Sequence, residues 1–342
     1  MRDFLNLKPE AFGIDISTSS IKIVKLKKNG KFFSLASFGE TPIKPGTIRE
    51  GEIKDQKSLA ESIESALAKV KGEKLKTKYV IASLPEEKTF LQIIKLPNMP
   101  EEDLKSAVVY EAENYIPLPI EEVYLDFQIV QFLPGQKDHL DVLITASPKK
   151  IVDDYLKCLK SAGLKPKALE VESLAISRAV IKNELSQFPI LIIDLGSLET
   201  SFIIFNGDSL LFTSSINVSS DNFDKNNLVN RGQKFFFGKD PDQTFLLEKI
   251  KKHIEYYKGH SFCEQFSPEN KAVKKILLCG EGANTAGLAD FFSAKLSIPV
   301  ERANPLINIL ENPEKEIPQF SLEQSLAYTT ALGLALRGVK EL

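Results

Sequence analysis

Residues 189–207 read PILIIDLGSLETSFIIFNG. An apolar run from Ile190 to Ile193 ends in Asp194, a turn of small and polar residues follows, and a second apolar run spans Phe202 to Phe205. Two such runs joined by this kind of turn predict a β-hairpin. An acid at the mouth of a buried strand, followed by Gly196 and hydroxyls, suits a phosphate and its metal. Glycine lets backbone N–H groups close on an anion, and a carboxylate holds Mg2+ through water. Taken alone, the stretch is more often an ordinary hairpin with a polar turn.

A second copy changes that balance. Residues 11–26 read AFGIDISTSSIKIVKL, in which an apolar run leads to Asp15, hydroxyls follow at Ser17, Thr18, Ser19 and Ser20, and an alternating strand runs from Ile21 to Leu26. Asp15 and Asp194 lie 179 residues apart, about half the chain. Internal repetition at this scale predicts two similar lobes gripping one nucleotide between them.

The remaining composition narrows the class. A chain of 342 residues suggests two domains, and a hydrophobic content of 43% supports sizeable cores. The 44 basic and 46 acidic residues leave a net charge of −2, which argues against a nucleic-acid binder driven by phosphate neutralisation. Three cysteines, Cys158, Cys263 and Cys279, fit neither a disulfide framework nor a zinc site, which favours a reducing compartment. The N-terminal MRDFLNLKPE lacks the apolar core of a signal peptide, and no apolar run is long enough for a membrane helix.

Along the chain, the Asn29-Gly30 turn leads to a third strand at 31–38, so this part of the first sheet is an antiparallel meander. A helix over 58–70 carries Leu59, Ile63, Ala66, Leu67 and Val70 on one face, with Ser58 or Asp55 as its cap. Lys71, Lys74, Lys76 and Lys78 form a basic turn that reads as solvated. After a strand at 79–84 come a strand (89–96), a helix (101–115) with Leu104, Ala107, Val108, Ala112 and Tyr115 on its buried face, two strands (123–132, 140–146) and a helix (149–162). Residues 209–218 mirror the first meander's third strand, and 219–242 read as a long polar loop. Lys275–Cys279 is a strand followed by Gly280, Glu281, Gly282 and Ala283, a glycine turn suited to a phosphate or ribose. Its spacing fails the dinucleotide pattern GxGxxG, and no Walker loop occurs. His253 and His260 lack partners at helical spacing and read as structural.

Taken together, the stretches GIDISTSSIK (13–22), LPNMPEEDLKSAVVYEAENYIPLPIEEVYLDF (96–127), IIDLGSLETS (192–201), LLCGEGANTAGLADFFSAKLSIPVERANP (277–305) and ALGLALRG (331–338) carry a family likeness. The chain resembles the PilM family of type IV pilus assembly proteins, within the actin-like ATPase superfamily and its FtsA-like branch. The second and last stretches are the PilM-specific ones.

The resemblance implies an α/β, actin-like (ribonuclease H-like) two-lobed ATPase fold with an FtsA/PilM-type 1C subdomain. Its expected divisions are 1A over 1–85, inserted 1C over 86–164, a return to 1A over 165–189 and 2A over 190–218. A reduced 2B over 219–258, 2A again over 259–320 and a C-terminal helix over 321–342 packing back on 1A complete it. It implies ATP and Mg2+ as cofactors. Asp15 and Asp194 would face the metal through water, Ser17, Thr18, Ser19, Ser20, Gly196, Ser197 and Thr200 would supply backbone donors to the phosphates, and Lys22 would approach the phosphate tail. Gly280, Glu281, Gly282 and Ala283 would border the adenosine, and Glu172 would orient water.

The same resemblance implies a cytoplasmic adaptor, peripheral at the inner face of the cytoplasmic membrane. It would dock the N-terminal segment of a PilN-type inner-membrane protein in a groove between 1A and 1C, near Tyr115 and Leu118, which read otherwise as core. Contacts with the pilus motor ATPase and self-association belong to the same picture. Two departures stand out: Ser17 replaces a glycine of the first phosphate loop, at a cost of about 1 kcal/mol if its φ must be positive, and the 2B region is short. Both bear on nucleotide binding and make weak or absent hydrolysis the expectation. The alternatives are an FtsA-like division filament protein, or an active ATPase or sugar-type kinase of the same superfamily.

Overall fold

The computed structural model describes residues 10–30, 32–130, 138–218, 241–259, 272–310 and 321–340. The N-terminal residues 1–9, most of the expected 2B loop (219–240), His260 and Cys263 lie outside them. The chain forms two compact units. One comprises Met1–Thr89, Ser147–Val180 and Pro305–Leu342, and the other Phe90–Ala146 and Ile181–Asn304.

The sheet of the first unit runs in the order Lys165–Val171, Tyr79–Leu84, Phe12–Ile16, Ser20–Asn29, Phe32–Pro42, Lys71–Gly72. The strands Phe12–Ile16, Ser20–Asn29 and Phe32–Pro42 form an antiparallel meander, and Tyr79–Leu84 and Lys165–Val171 add in parallel on its other side. Every residue of Phe12–Ile16 (FGIDI) is buried, as expected for a central strand covered on both faces. One cover combines the helix Gln56–Ala68 with the helix Lys149–Ser161, whose Ile151, Tyr155 and Leu159 share a core with Phe12, Ile14, Leu59 and Ile63. Of the two caps expected for Gln56–Ala68, Asp55 serves: its Oδ1 accepts the Ser58 N–H at 2.9 Å.

The other cover is the helix Thr329–Lys340. A Cβ on Gly13 would lie 2.4 Å from the Ala331 carbonyl oxygen, so glycine is what allows helix and strand backbones to meet. Gly333 plays the same part against the helix Glu172–Val180, where a Cβ would fall 1.8 Å from the Ala175 oxygen. A buried Glu170 carboxylate ties these elements, binding both ends of the Arg178 guanidinium at 2.7 and 2.5 Å with Arg337 at 3.5 Å. The single C-terminal helix expected from the sequence is two: a short one, Leu322–Leu326, capped by Ser321 and Gln324, precedes Thr329–Lys340.

The second unit repeats the pattern. Its five-stranded sheet runs Ser209–Ile216, Thr200–Gly207, Ser186–Leu195, Lys275–Cys279, Val300–Arg302, again an antiparallel meander followed by two parallel strands. Asp15 and Asp194 occupy equivalent places near the end of the first strand of each sheet. The unit also holds a three-stranded sheet ordered Phe90–Pro97, His139–Pro148, Val123–Val130. The helix Glu101–Ala112 covers it through Leu104, Val108 and Ala112, which meet Ile94, Val142 and Ile144.

Two expectations change here. The helix Lys149–Ser161 was expected inside the inserted subdomain (86–164); its apolar face instead completes the first unit's core, and the chain crosses between units at Thr89/Phe90 and Ala146/Ser147. Tyr115 was expected on the buried face of a helix reaching residue 115. The helix ends at Ala112, and the chain turns so that Ile116 is buried and Tyr115 is 43% exposed.

Candidate functional site

In the second unit, Asp194 pairs in register with Ser201 on one side and Cys279 on the other, where the parallel strands end. Such strand ends are where α/β sheets place their ligands. The Cys279 thiol lies 3.5 Å from Asp194 Oδ1 and donates to it. Gly280 has φ +81°, and a Cβ there would fall 2.5 Å from Asp194 Oδ1 and 2.6 Å from the Leu195 oxygen. The position therefore needs glycine twice, for its backbone angle and for the space the carboxylate occupies. Beyond it a 3-10 turn, Glu281–Asn284, buries Gly282 and Ala283 and exposes Glu281.

One expected phosphate donor in this hairpin is otherwise engaged, and a neighbouring hydroxyl is tied down as well. The Gly196 N–H closes the turn on the Glu199 oxygen at 2.9 Å. The Thr200 hydroxyl is fully buried and donates to the Val218 oxygen at 3.0 Å, tethering the end of the meander. Ser197 remains in the half-buried part of the turn.

In the first unit, Asp15 and Lys22 are cross-strand partners, so both side chains stand on one face of the sheet, and both are buried. The Lys22 ammonium donates to Ser20 Oγ at 3.1 Å and lies 3.4 Å from a Glu40 oxygen. The turn between them is organised by Ser17. Its Oγ accepts the N–H of Ser20 at 3.0 Å and of Ser19 at 3.3 Å and donates to the Ser20 oxygen at 3.0 Å. The Ser17 N–H itself donates to the Ser20 oxygen. Ser17 does not adopt a positive φ, so serine in place of glycine carries no backbone strain here. Its consequence is chemical: a hydroxyl sits on the N–H groups expected to meet a phosphate, leaving Thr18 as the loop residue without such an engagement on its N–H.

Glu172 opens the helix Glu172–Val180, where the strand Lys165–Val171 ends. Beside it, the buried Glu86 Oε2 accepts the Ser173 N–H at 3.1 Å and caps that helix, a role the sequence did not reveal because the two residues are 87 positions apart. Burial, reinforced by the negative charges of Glu172, Glu87 and Asp15, drives the Tyr155 phenol far above its ordinary range, so it stays protonated. Glu172 and Asp15 thus both lie within electrostatic reach of Tyr155. Ser83, whose Oγ accepts the Ile16 N–H at 2.8 Å, is another supporting residue that strand patterning hid.

Tyr115 and Leu118 lie elsewhere, on the three-stranded part of the second unit, 43% and 40% exposed, and Tyr110 and Tyr124 of the same part are exposed too. His253 packs 4.3 Å from the Phe202 ring, and burial lowers its pKa, which suits the structural place expected of it.

A meander followed by parallel strands, built twice in one chain with an acid at the end of each first strand, defines an actin-like ATPase fold of the ribonuclease H type. Within that class, the family model for type IV pilus assembly protein PilM matches residues 13–227 and 240–339, and the chain belongs to this family. The fold is similar to that solved for a PilM–PilN type IV pilus biogenesis complex, with a TM-score of 0.77 and 27% identity over 97% of this chain and 99% of that one. Division proteins of the FtsA-like branch are also similar. FtsA of Streptococcus pneumoniae serotype 2 is 23% identical over 232 residues, and FtsA of Bacillus subtilis (strain 168) is 22% identical over 286. Those matches cover 61% and 75% of this chain but only 50% and 59% of the FtsA chains.

Proposed function

We propose that this chain is an ATP-binding adaptor of the type IV pilus inner-membrane platform, which docks the N-terminal cytoplasmic segment of a PilN-type membrane protein. The likeness to a PilM–PilN complex across nearly the whole chain supports this reading most directly. The exposed Tyr115 and Leu118 supply apolar anchors of the type that dominate peptide interfaces. Among the described residues no helix is long and apolar enough to cross a membrane; in this reading the partner's segment holds the protein at the inner face of the cytoplasmic membrane.

The residues fit a nucleotide unequally. The Asp194 carboxylate against Gly280 is a cradle that a Cβ would fill, and it suits a hydrated Mg2+ and a phosphate, with Gly280, Glu281, Gly282 and Ala283 toward the adenosine. The Asp15 loop fits in charge, through Asp15 and Lys22, but its Ser19 and Ser20 N–H groups take a phosphate only by giving up the Ser17 hydroxyl. Bound ATP would supply a polyanion whose occupancy biases conformation. It regulates docking to the extent that it binds two conformations unequally. Glu172 is the residue assigned to orient water, and slow turnover is in keeping with a regulatory role.

Calorimetric titration of a PilN-type N-terminal peptide tests the docking. Tyr115→Ala should weaken it by about 2 kcal/mol, roughly thirtyfold, as for an aromatic anchor. Peptide affinity equal to wild type, with circular dichroism unchanged, would remove Tyr115 from the interface.

A further inference from the structure

A basic hollow opens at the end of the first unit's sheet opposite Asp15, where the parallel strands begin. It has a volume of about 530 Å³ and is lined by Glu10, Lys25, Lys76, Thr77, Lys78, Tyr79 and Lys165. We propose that it binds a phosphate group, carried by a soluble polyphosphate or by an anionic lipid headgroup. Nothing in the nucleotide or docking assignments uses these residues.

Four lysines against one glutamate leave the hollow with a net charge of +3, in a chain whose net charge is −2. Lys25 is 12% exposed at its side chain and is held 2.9 Å from Glu10 Oε2. Among the described residues, Lys76, Lys78 and Lys165 form no ion pair. The backbone fixes their origins. Lys165 and Tyr79 are register partners, the Lys165 N–H donates to the Lys78 oxygen at 2.8 Å, and the Lys165 ammonium lies 5.7 Å from the Tyr79 ring centre. Thr77 Oγ1 donates to the Glu10 oxygen at 2.7 Å and accepts the Tyr79 N–H at 3.1 Å, pinning the rim.

The chemistry selects the ligand. Hydrated, rotatable ammonium groups suit a compact polyanion, whereas paired planar recognition of carboxylates is the strength of arginine, which the hollow lacks. Its volume falls in the range of small-ligand sites, but its lining is cationic where sites for neutral ligands are mostly apolar. The four lysines line one hollow, which suits a compact polyanion better than an extended acidic peptide. Two members of the lysine turn that reads as merely solvated thus acquire a role.

The test is acetylation footprinting of the full chain with mass spectrometry, using pyrophosphate, an oligoglutamate peptide, and phosphatidylcholine vesicles with and without phosphatidylglycerol. Selective protection of Lys76, Lys78 and Lys165, with the exposed Lys44 and Lys57 unaffected, is expected from a phosphate probe. Protection by pyrophosphate assigns a soluble polyphosphate; protection only by phosphatidylglycerol vesicles assigns a headgroup. The residue-by-residue readout separates this hollow from any binding at the Asp hairpins. Lys76→Gln with Lys165→Gln should weaken the protecting probe about tenfold, and the effect should shrink with added salt. Uniform protection, no protection, protection by oligoglutamate alone, or an unchanged affinity in the double variant would overturn the proposal.

Discussion

Replacing Ser17 by Gly removes a hydroxyl that holds the first Asp loop closed on itself. In the structure that oxygen accepts two N–H groups, at 3.0 and 3.3 Å, and donates to a carbonyl at 3.0 Å. At about 1 kcal/mol net for each well-formed hydrogen bond, its loss costs about 2 kcal/mol of stability, since the longer contact is worth less. Glycine adds about 0.5–1 kcal/mol through its freedom in the unfolded chain. The same change frees the Ser19 and Ser20 N–H groups. Each is worth about 1.5 kcal/mol when it meets a charged phosphate oxygen. In the wild type the same N–H groups must first leave the Ser17 hydroxyl, at about 1 kcal/mol or less each, so removing it is expected to raise ATP affinity by about 1.4 kcal/mol, tenfold. Ser17→Ala is the decisive companion. Because Ser17 has no positive φ, alanine keeps the backbone and removes only the oxygen, so it should show most of the affinity gain with a smaller loss of stability. Calorimetric titration of Mg·ATP and thermal unfolding give both quantities. If both variants fold and bind ATP no more tightly than wild type, the hydroxyl does not compete with phosphate and the reasoning fails.

Three further outcomes follow from other parts of the molecule. Asp194→Ala should weaken Mg·ATP at least about tenfold, by removing the carboxylate that faces Gly280, while circular dichroism stays unchanged; unaltered ATP affinity would contradict the assignment. Gly333→Ala should destabilise the protein by about 3 kcal/mol, because its Cβ would sit 1.8 Å from the Ala175 oxygen; a thermal midpoint equal to wild type would show that the two helices part more easily than their packing suggests. Burial, with the nearby Asp154 charge, pushes the Cys158 thiol up to about 11. The raised value favours the protonated form, so its stabilising contribution is present below about pH 9 and fades as the pH rises through about 11. Native alkylation at pH 8 should therefore be slow, and rapid modification of Cys158 in the folded protein would refute this.

Much of the fold was legible because its central strands are buried on both faces and read as uninterrupted apolar runs. Tyr79–Leu84 and Lys275–Cys279 stand where the sequence places them, to the residue. The repeat of Asp15 and Asp194 announced two equivalent sheets before any strand order was known. What stayed hidden depends on contacts distant in sequence. An amphipathic helix such as Lys149–Ser161 shows that it has a buried face, but not which core receives it. Tyr115 looked buried because helical spacing was extended one turn too far. In the candidate site, the charged residues were visible as types, whereas the roles of Ser17, Thr200 and Glu86 rest on individual hydrogen bonds that no pattern encodes.

The interleaving of the two units has a consequence for synthesis. The second unit ends at Asn304, whereas the first, which contains the earliest strands, takes in Pro305 onward, with the helix Thr329–Lys340 covering Phe12–Ile16. Domains usually mature in the order in which they leave the ribosome. Here the order is expected to invert: the half that begins the polypeptide should be the later to close, because the helix that covers one face of its sheet lies more than three hundred residues downstream.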